Sequence, residues 1–266
     1  MTMAPARWRT AAFIAASTAL GPLGGCERSS ELVDPDQVDC GSGEAAVELH
    51  TDDGLMLVAD YRPAAEPERG AVVLFHMIPP QYDRSTWPPE VRQAFADLGL
   101  GVLAVDRRGA GESEGEPEDA YQGEGGRLDM EAAVSFLVSD QRACPADPDR
   151  VLLVGASNGT TAVMDYAVAH SADQPPPAGL VWMSPGDYTE NQHRVDESRP
   201  VLEELPMLWL YPTDEPWSEG FVDGAPETWE FVPRGEEHGT FMFDGGDLEE
   251  ATVADLVAFA GEVVGR

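Results

Sequence analysis

Five stretches of this chain are apolar almost from end to end: AVVLFH (71–76), GVLAVD (101–106), VLLVG (151–155), GLVWMSP (179–185) and LPMLWLYP (205–212). A strand with one wet face alternates apolar and polar residues, and none of these does. Such runs suit strands buried on both faces, which occur where helices cover a parallel sheet from above and below. The segments between the runs supply those helices. PEVRQAFADLG (89–99) has Pro early and Gly at its end. RLDMEAAVSFLVSD (127–140) sets Leu128, Ala132, Val134 and Leu137 at helical spacing. TTAVMDYAVAH (160–170) follows VLLVG, and residues 248–264 place Val253, Leu256, Val257, Ala260 and Val264 on one side of a terminal helix.

AAVEL and LMLVADYR, joined by the turn TDDG, open the strand series, and TWEFVP (228–233) closes it. The alternation predicts an α/β fold, a mostly parallel twisted sheet of about eight strands with helices on both faces. Only residues 186–204 separate the strands holding Trp182 and Trp209. That is too short for a large helical cap. With 266 residues, one domain over 45–266 accounts for the folded part.

Ahead of it, Arg7 and Arg9 precede the apolar AAFIAASTAL (11–20), too short to span a bilayer, and then LGGC ends at Cys26. This pattern resembles the bacterial lipoprotein signal. The resemblance implies a signal peptide over 1–25, lipid attachment at Cys26, and a membrane-anchored place in the bacterial cell envelope, at the outer membrane or cell surface. Residues 26–44 are polar and turn-rich, and read as a flexible tether. With Cys26 lipidated, Cys40 and Cys144 are left as a candidate disulfide in an oxidising compartment. The 16 basic residues are all Arg and face 49 acidic ones, for a net charge of −33. So acidic a surface repels phosphate backbones and speaks against nucleic acid as a partner. It fits a solubility-driven surface, or adaptation to salt.

The chemistry centres on GASNG (155–159), a G-x-S-x-G pattern between strand and helix that lifts Ser157 on a tight turn. Such a serine needs a base. Of five histidines, His50 falls in an early strand, His76 ends a buried one and His170 ends a helix. His193 sits in a polar loop without an obvious partner. His238, in EHGTF between the last strand and the last helix, is the base by chain order and by its glycine neighbour. The orienting acid lies in PTDEPW: Asp214 or Glu215, adjacent residues that cannot both face the histidine.

FHMIPPQYDRSTW, DRRGAGES, GASNG, WMSPGDY, YPTDEP and EHGTF, in that order, resemble the motifs of the α/β-hydrolase superfamily in a compact form without a large cap. The resemblance implies an acyl hydrolase with Ser157 as nucleophile and His238 as base. It favours Glu215 as the acid by position, with Asp214 open. The oxyanion donors are the amides of Asn158 and Met77, with Met77 standing where the family usually has Gly and His76 helping to hold the loop. It implies a small-molecule acyl substrate, no cofactor and no metal. The machinery serves esterases, peptidases, thioesterases and lactonases alike, and a non-catalytic binding lipoprotein on the same fold is the alternative.

Overall fold

β1 (Ala45–His50) and β2 (Met56–Arg62) form an antiparallel hairpin. β2 then pairs antiparallel with β4 (Gly101–Val105). From there the sheet is parallel. β3 (Ala71–Phe75) lies between β4 and β5 (Val151–Ala156), followed outward by β6 (Gly179–Met183), β7 (Met207–Tyr211) and β8 (Trp229–Pro233). The order is β1-β2-β4-β3-β5-β6-β7-β8, eight strands in one sheet. The computed structural model describes residues 31–122, 124–189 and 192–265. The expected signal peptide and Cys26 lie outside these.

The apolar runs are continuous because both faces of the sheet are covered. Val73, Phe75, Leu103, Val105 and Leu153 point to one side. There they meet Met130, Val134 and Phe136 of α2 (Gly125–Val138), Val163 and Tyr166 of α3 (Gly159–Ala169), and Val195 and Leu202 of α4 (Val195–Leu202). The alternate residues Val72, Leu74, Ala104, Leu152 and Val154 point to the other. They meet Val91 and Phe95 of α1 (Pro89–Asp97) and Leu256, Phe259 and Ala260 of α5 (Gly246–Val263). Each fully buried Val, Leu or Phe contributes roughly 1.5–3 kcal/mol of transfer free energy. Trp209 of β7 anchors an aromatic cluster with Trp182, Trp217, Phe221, Trp229 and Phe231 around it.

Three expectations change. α2 and α5 begin at Gly125 and Gly246, earlier than their apolar pattern. Glycine is a poor helix former, so periodicity passes over it. α4 has no counterpart in the apolar pattern, because VDESRPVL is polar and contains Pro200. It forms by burying Val195 and Leu202.

The tether is the third. From Glu31 the chain is not free: Val33 N–H donates to Ala46 O at 2.8 Å, Leu32 bridges Ala46, and Val38 is buried in the core. Cys40 is disulfide-bonded to Cys144. Arg142 pairs with Asp36. Composition hides this, since one buried valine and one crosslink fasten an otherwise polar segment.

Candidate active site

The loops at the carboxyl ends of β3, β5, β6, β7 and β8 gather on one edge of the sheet, where sites form in open α/β folds. β5 runs out at Ala156 and α3 begins at Gly159. Ser157, between them, is held at φ 51°, a left-handed backbone in which few non-glycine residues sit. Its own N–H donates to Met183 O at 2.7 Å, tying the turn to β6. Gly159 is dictated by close approach: a Cβ there would stand 2.5 Å from His76 O.

His238 meets this serine. Its Nε2 lies 2.6 Å from Ser157 Oγ, and its Nδ1 lies 2.7 and 3.0 Å from the two carboxylate oxygens of Glu215. A carboxylate only accepts, so Nδ1 carries the proton and Nε2 is left to accept from the serine hydroxyl. Gly239 makes this pose available. It has φ 58°, and a Cβ on it would strike Met77 Sδ at 2.6 Å. Its N–H donates to Ser184 Oγ at 2.7 Å.

The structure separates the two candidate acids. Glu215, fixed by a turn in which its N–H donates to Pro212 O at 3.1 Å, faces the imidazole. Asp214 is exposed and does not reach His238. Consecutive residues of a turn point apart, so only one could serve.

Of the other histidines, His193 needs correction, for it has a partner. Asp165 of α3 accepts from both its backbone N–H (3.1 Å) and its Nδ1 (2.7 Å). His170 caps α3, with Nδ1 2.8 Å from Tyr166 O. His50 ends β1.

The loop after β3 carries Met77, whose side chain is buried. Neither Met77 N–H nor Asn158 N–H has an acceptor among the described residues, as a pair of oxyanion donors requires. His76 is wholly buried beneath them. Its Nδ1 donates to Met77 O at 2.8 Å, and its Nε2 accepts from Arg107 N–H at 2.9 Å. Both ring nitrogens are thereby committed to the neutral form. Burial first, then the charges of Arg107 and Arg84, push its pKa down to about 3.

Four residues here carry no role in the sequence reading of the site: Ser184, Tyr188, Gln192 and Arg107. Ser184, at φ 53° just after β6, holds Gly239 through its hydroxyl. Tyr188 donates to Ser184 O and sets its ring edge-on to His238, centroids 6.5 Å apart. Burial raises the Tyr188 phenol above its ordinary value, so it stays protonated. Gln192 clamps that loop, accepting from the N–H groups of Tyr188 and Thr189 and donating to Gly186 O. Trp217 packs into the aromatic cluster against Trp209 and Phe221. The fourth, Arg107, lies in DRRGAGES, where the sequence assigns it no role.

Residues 66–210 match the Hydrolase_4 family model, described as serine aminopeptidase, S33. That is more than half of the chain. The chain belongs to this family of α/β hydrolases. The matched span of the hydrolase ends before Glu215 and His238, so the grouping of these two with Ser157 rests on the geometry above. No curated protein sequence matches the chain. Among solved structures, the hydrolase is similar to the esterase Pf2001 of Pyrococcus furiosus, with TM-score 0.65 and 15% identity, covering 84% of this chain and 92% of that one. It is similar to the α/β hydrolase GrgF of Penicillium sp. sh18, with TM-score 0.63 and 15% identity over 85% and 100%. It is also similar to the esterase RhEst1 of Rhodococcus sp. ECU1013, with TM-score 0.54 and 18% identity over 82% and 99%. At such identities the likeness is one of fold. Among the described residues, no group of three or more His, Cys, Asp or Glu side chains is arranged to hold a metal ion.

Proposed function

We propose that this hydrolase is a serine esterase that cleaves small carboxylic esters through an acyl-enzyme. The observation that carries the reading is the 2.6 Å approach of His238 Nε2 to Ser157 Oγ with Glu215 behind Nδ1. In the first step Ser157 Oγ attacks the ester carbonyl while His238 Nε2 takes its proton. The carbonyl oxygen becomes an oxyanion that the Met77 and Asn158 amides receive. The C–O bond to the alcohol breaks as His238 returns the proton to the departing oxygen. Water, deprotonated by the same nitrogen, then frees the acid and restores Ser157. Glu215 keeps the ring oriented and stabilises the transient imidazolium. The esterases among the structurally similar proteins support this substrate class.

The test is turnover of p-nitrophenyl acetate and butyrate by the wild type and by Ser157→Ala, with fluorophosphonate labelling of Ser157 as control. Loss of at least a thousandfold in the variant is expected; equal turnover would sink the proposal. The serine aminopeptidase description of the family favours a second reading, peptide cleavage by the same residues. Aminoacyl p-nitroanilides in the same assay decide between them: faster turnover of the anilides than of the esters favours the peptidase.

We further propose that Cys26 carries the lipid and anchors the enzyme in the bacterial cell envelope. The signal-like residues 1–25 support this. Partition of the full chain into a detergent phase, lost in Cys26→Ser, is the expected result; aqueous behaviour of the wild type would refute it.

A further inference from the structure

Arg107 is a cation with no exposed surface, placed just after β4. A guanidinium so buried usually meets a carboxylate, as Arg108 meets Asp129 and Arg84 meets Asp106. Arg107 is different: every hydrogen bond of its side chain goes to a neutral oxygen. One Nη1 proton reaches Asn158 Oδ1 at 2.9 Å; the other is shared between Met77 O at 3.3 Å and His76 O at 3.4 Å. Nη2 donates to Ala120 O at 2.6 Å, and Nε–H has no acceptor among the described residues. Burying a cation this way is costly, and the cost is not returned by an ion pair.

The acceptors themselves carry the meaning. Asn158 and Met77 are the two residues whose backbone amides receive the oxyanion in the reading proposed above, on which this inference rests. His76 O belongs to the same peptide group as Met77 N–H. A donor at that carbonyl polarises the peptide and sharpens its N–H as a donor. Arg107 also fixes the loop a second way, through its backbone N–H on His76 Nε2. We propose that Arg107 is the positioning residue of the oxyanion hole. It clamps the loop after β3 to the start of α3, so that both amides aim at one point, and lends its charge to the developing oxyanion. The guanidinium is held down to about 10 by burial and stays cationic at neutral pH.

The experiment compares wild type, Arg107→Met, Arg107→Lys, Asn158→Ala and the double variant Arg107→Met/Asn158→Ala on p-nitrophenyl butyrate, normalised to folded protein. Asn158→Ala keeps the oxyanion amide and removes one of the four acceptors of Arg107, the one on the start of α3. Arg107→Met is expected to lower kcat roughly a hundredfold and Asn158→Ala about tenfold, both with KM within about twofold. Arg107→Lys, which keeps the charge but not the fork, falls between. The double variant is expected to be no worse than Arg107→Met, because Asn158 acts through Arg107. Wild-type kcat in folded Asn158→Ala, or full additivity in the double variant, overturns the proposal. Asn158→Ala decides alone if Arg107→Met does not fold. Hydrogen exchange over residues 75–80 and 156–160 gives a readout independent of turnover. It should quicken in Asn158→Ala, and unchanged exchange also overturns the inference. An inert wild type would instead count against the esterase reading.

Discussion

The N–H of Gly239 donates to the side-chain hydroxyl of Ser184 at 2.7 Å, linking the residue after His238 to the end of β6. Ser184 is fully buried and held at a left-handed φ. Strain of this kind persists where surrounding contacts over-determine it. Ser184→Ala removes the acceptor that Gly239 N–H has among the described residues, so His238 loses a constraint without losing a partner. A kcat lower by roughly threefold to tenfold at unchanged KM is expected, from a bond of about 0.5–1.5 kcal/mol. An unchanged kcat in steady-state assays would show that β6 does not position His238.

Glu215 and Asp214 are separable by substitution. Glu215→Gln keeps the shape but removes the charge that orients and stabilises the imidazolium, and kcat should fall on the order of a thousandfold or more. Asp214→Asn changes an exposed loop residue and should leave kcat within about twofold. The reverse ranking in ester hydrolysis would return the acid role to Asp214.

His76 gives stability a pH dependence of definite sign. Its pKa is near 3 in the folded chain and 6.5 as the ordinary value, so the unfolded chain takes up a proton first as pH falls. The stabilisation of the neutral ring is therefore complete above pH 6.5 and declines below it. By linkage the loss approaches about 2 kcal/mol between pH 6.5 and 5. His76→Gln does not titrate, so urea unfolding of wild type and variant should show their gap narrowing over this interval. A constant gap would contradict a buried neutral His76.

The disulfide between Cys40 and Cys144 closes a loop of sequence separation 104 and holds residues 31–44 on the domain. The chain-entropy argument gives about 4–5 kcal/mol for a loop of that length. The double variant Cys40→Ser/Cys144→Ser should unfold at lower urea concentration and exchange its amides faster around Val33 and Val38. An unshifted urea midpoint would mean that the crosslink contributes nothing to this fold.

The sequence by itself determined the layered architecture, because burial on both faces writes an unbroken apolar run into each central strand. Val72, Val73 and Leu74 point alternately to two cores, and no polar residue could stand among them without cost. It also singled out Ser157 and His238, since a strand, a small-residue turn and a helix leave a local signature. The tertiary structure decided the rest. Whether Glu215 or Asp214 faces His238 depends on the torsions of one turn, where neighbouring side chains diverge. Asp165 with His193, Tyr188 over His238, and Arg107 beneath Met77 and Asn158 join residues far apart in the chain. Such pairs leave no periodic trace, because their energy arises only when separate loops meet at the same edge of the sheet. The polar segment 31–44 makes the same point from the outside: its composition reads as tether, and only Val38 and Cys40 finding their partners turn it into part of the domain.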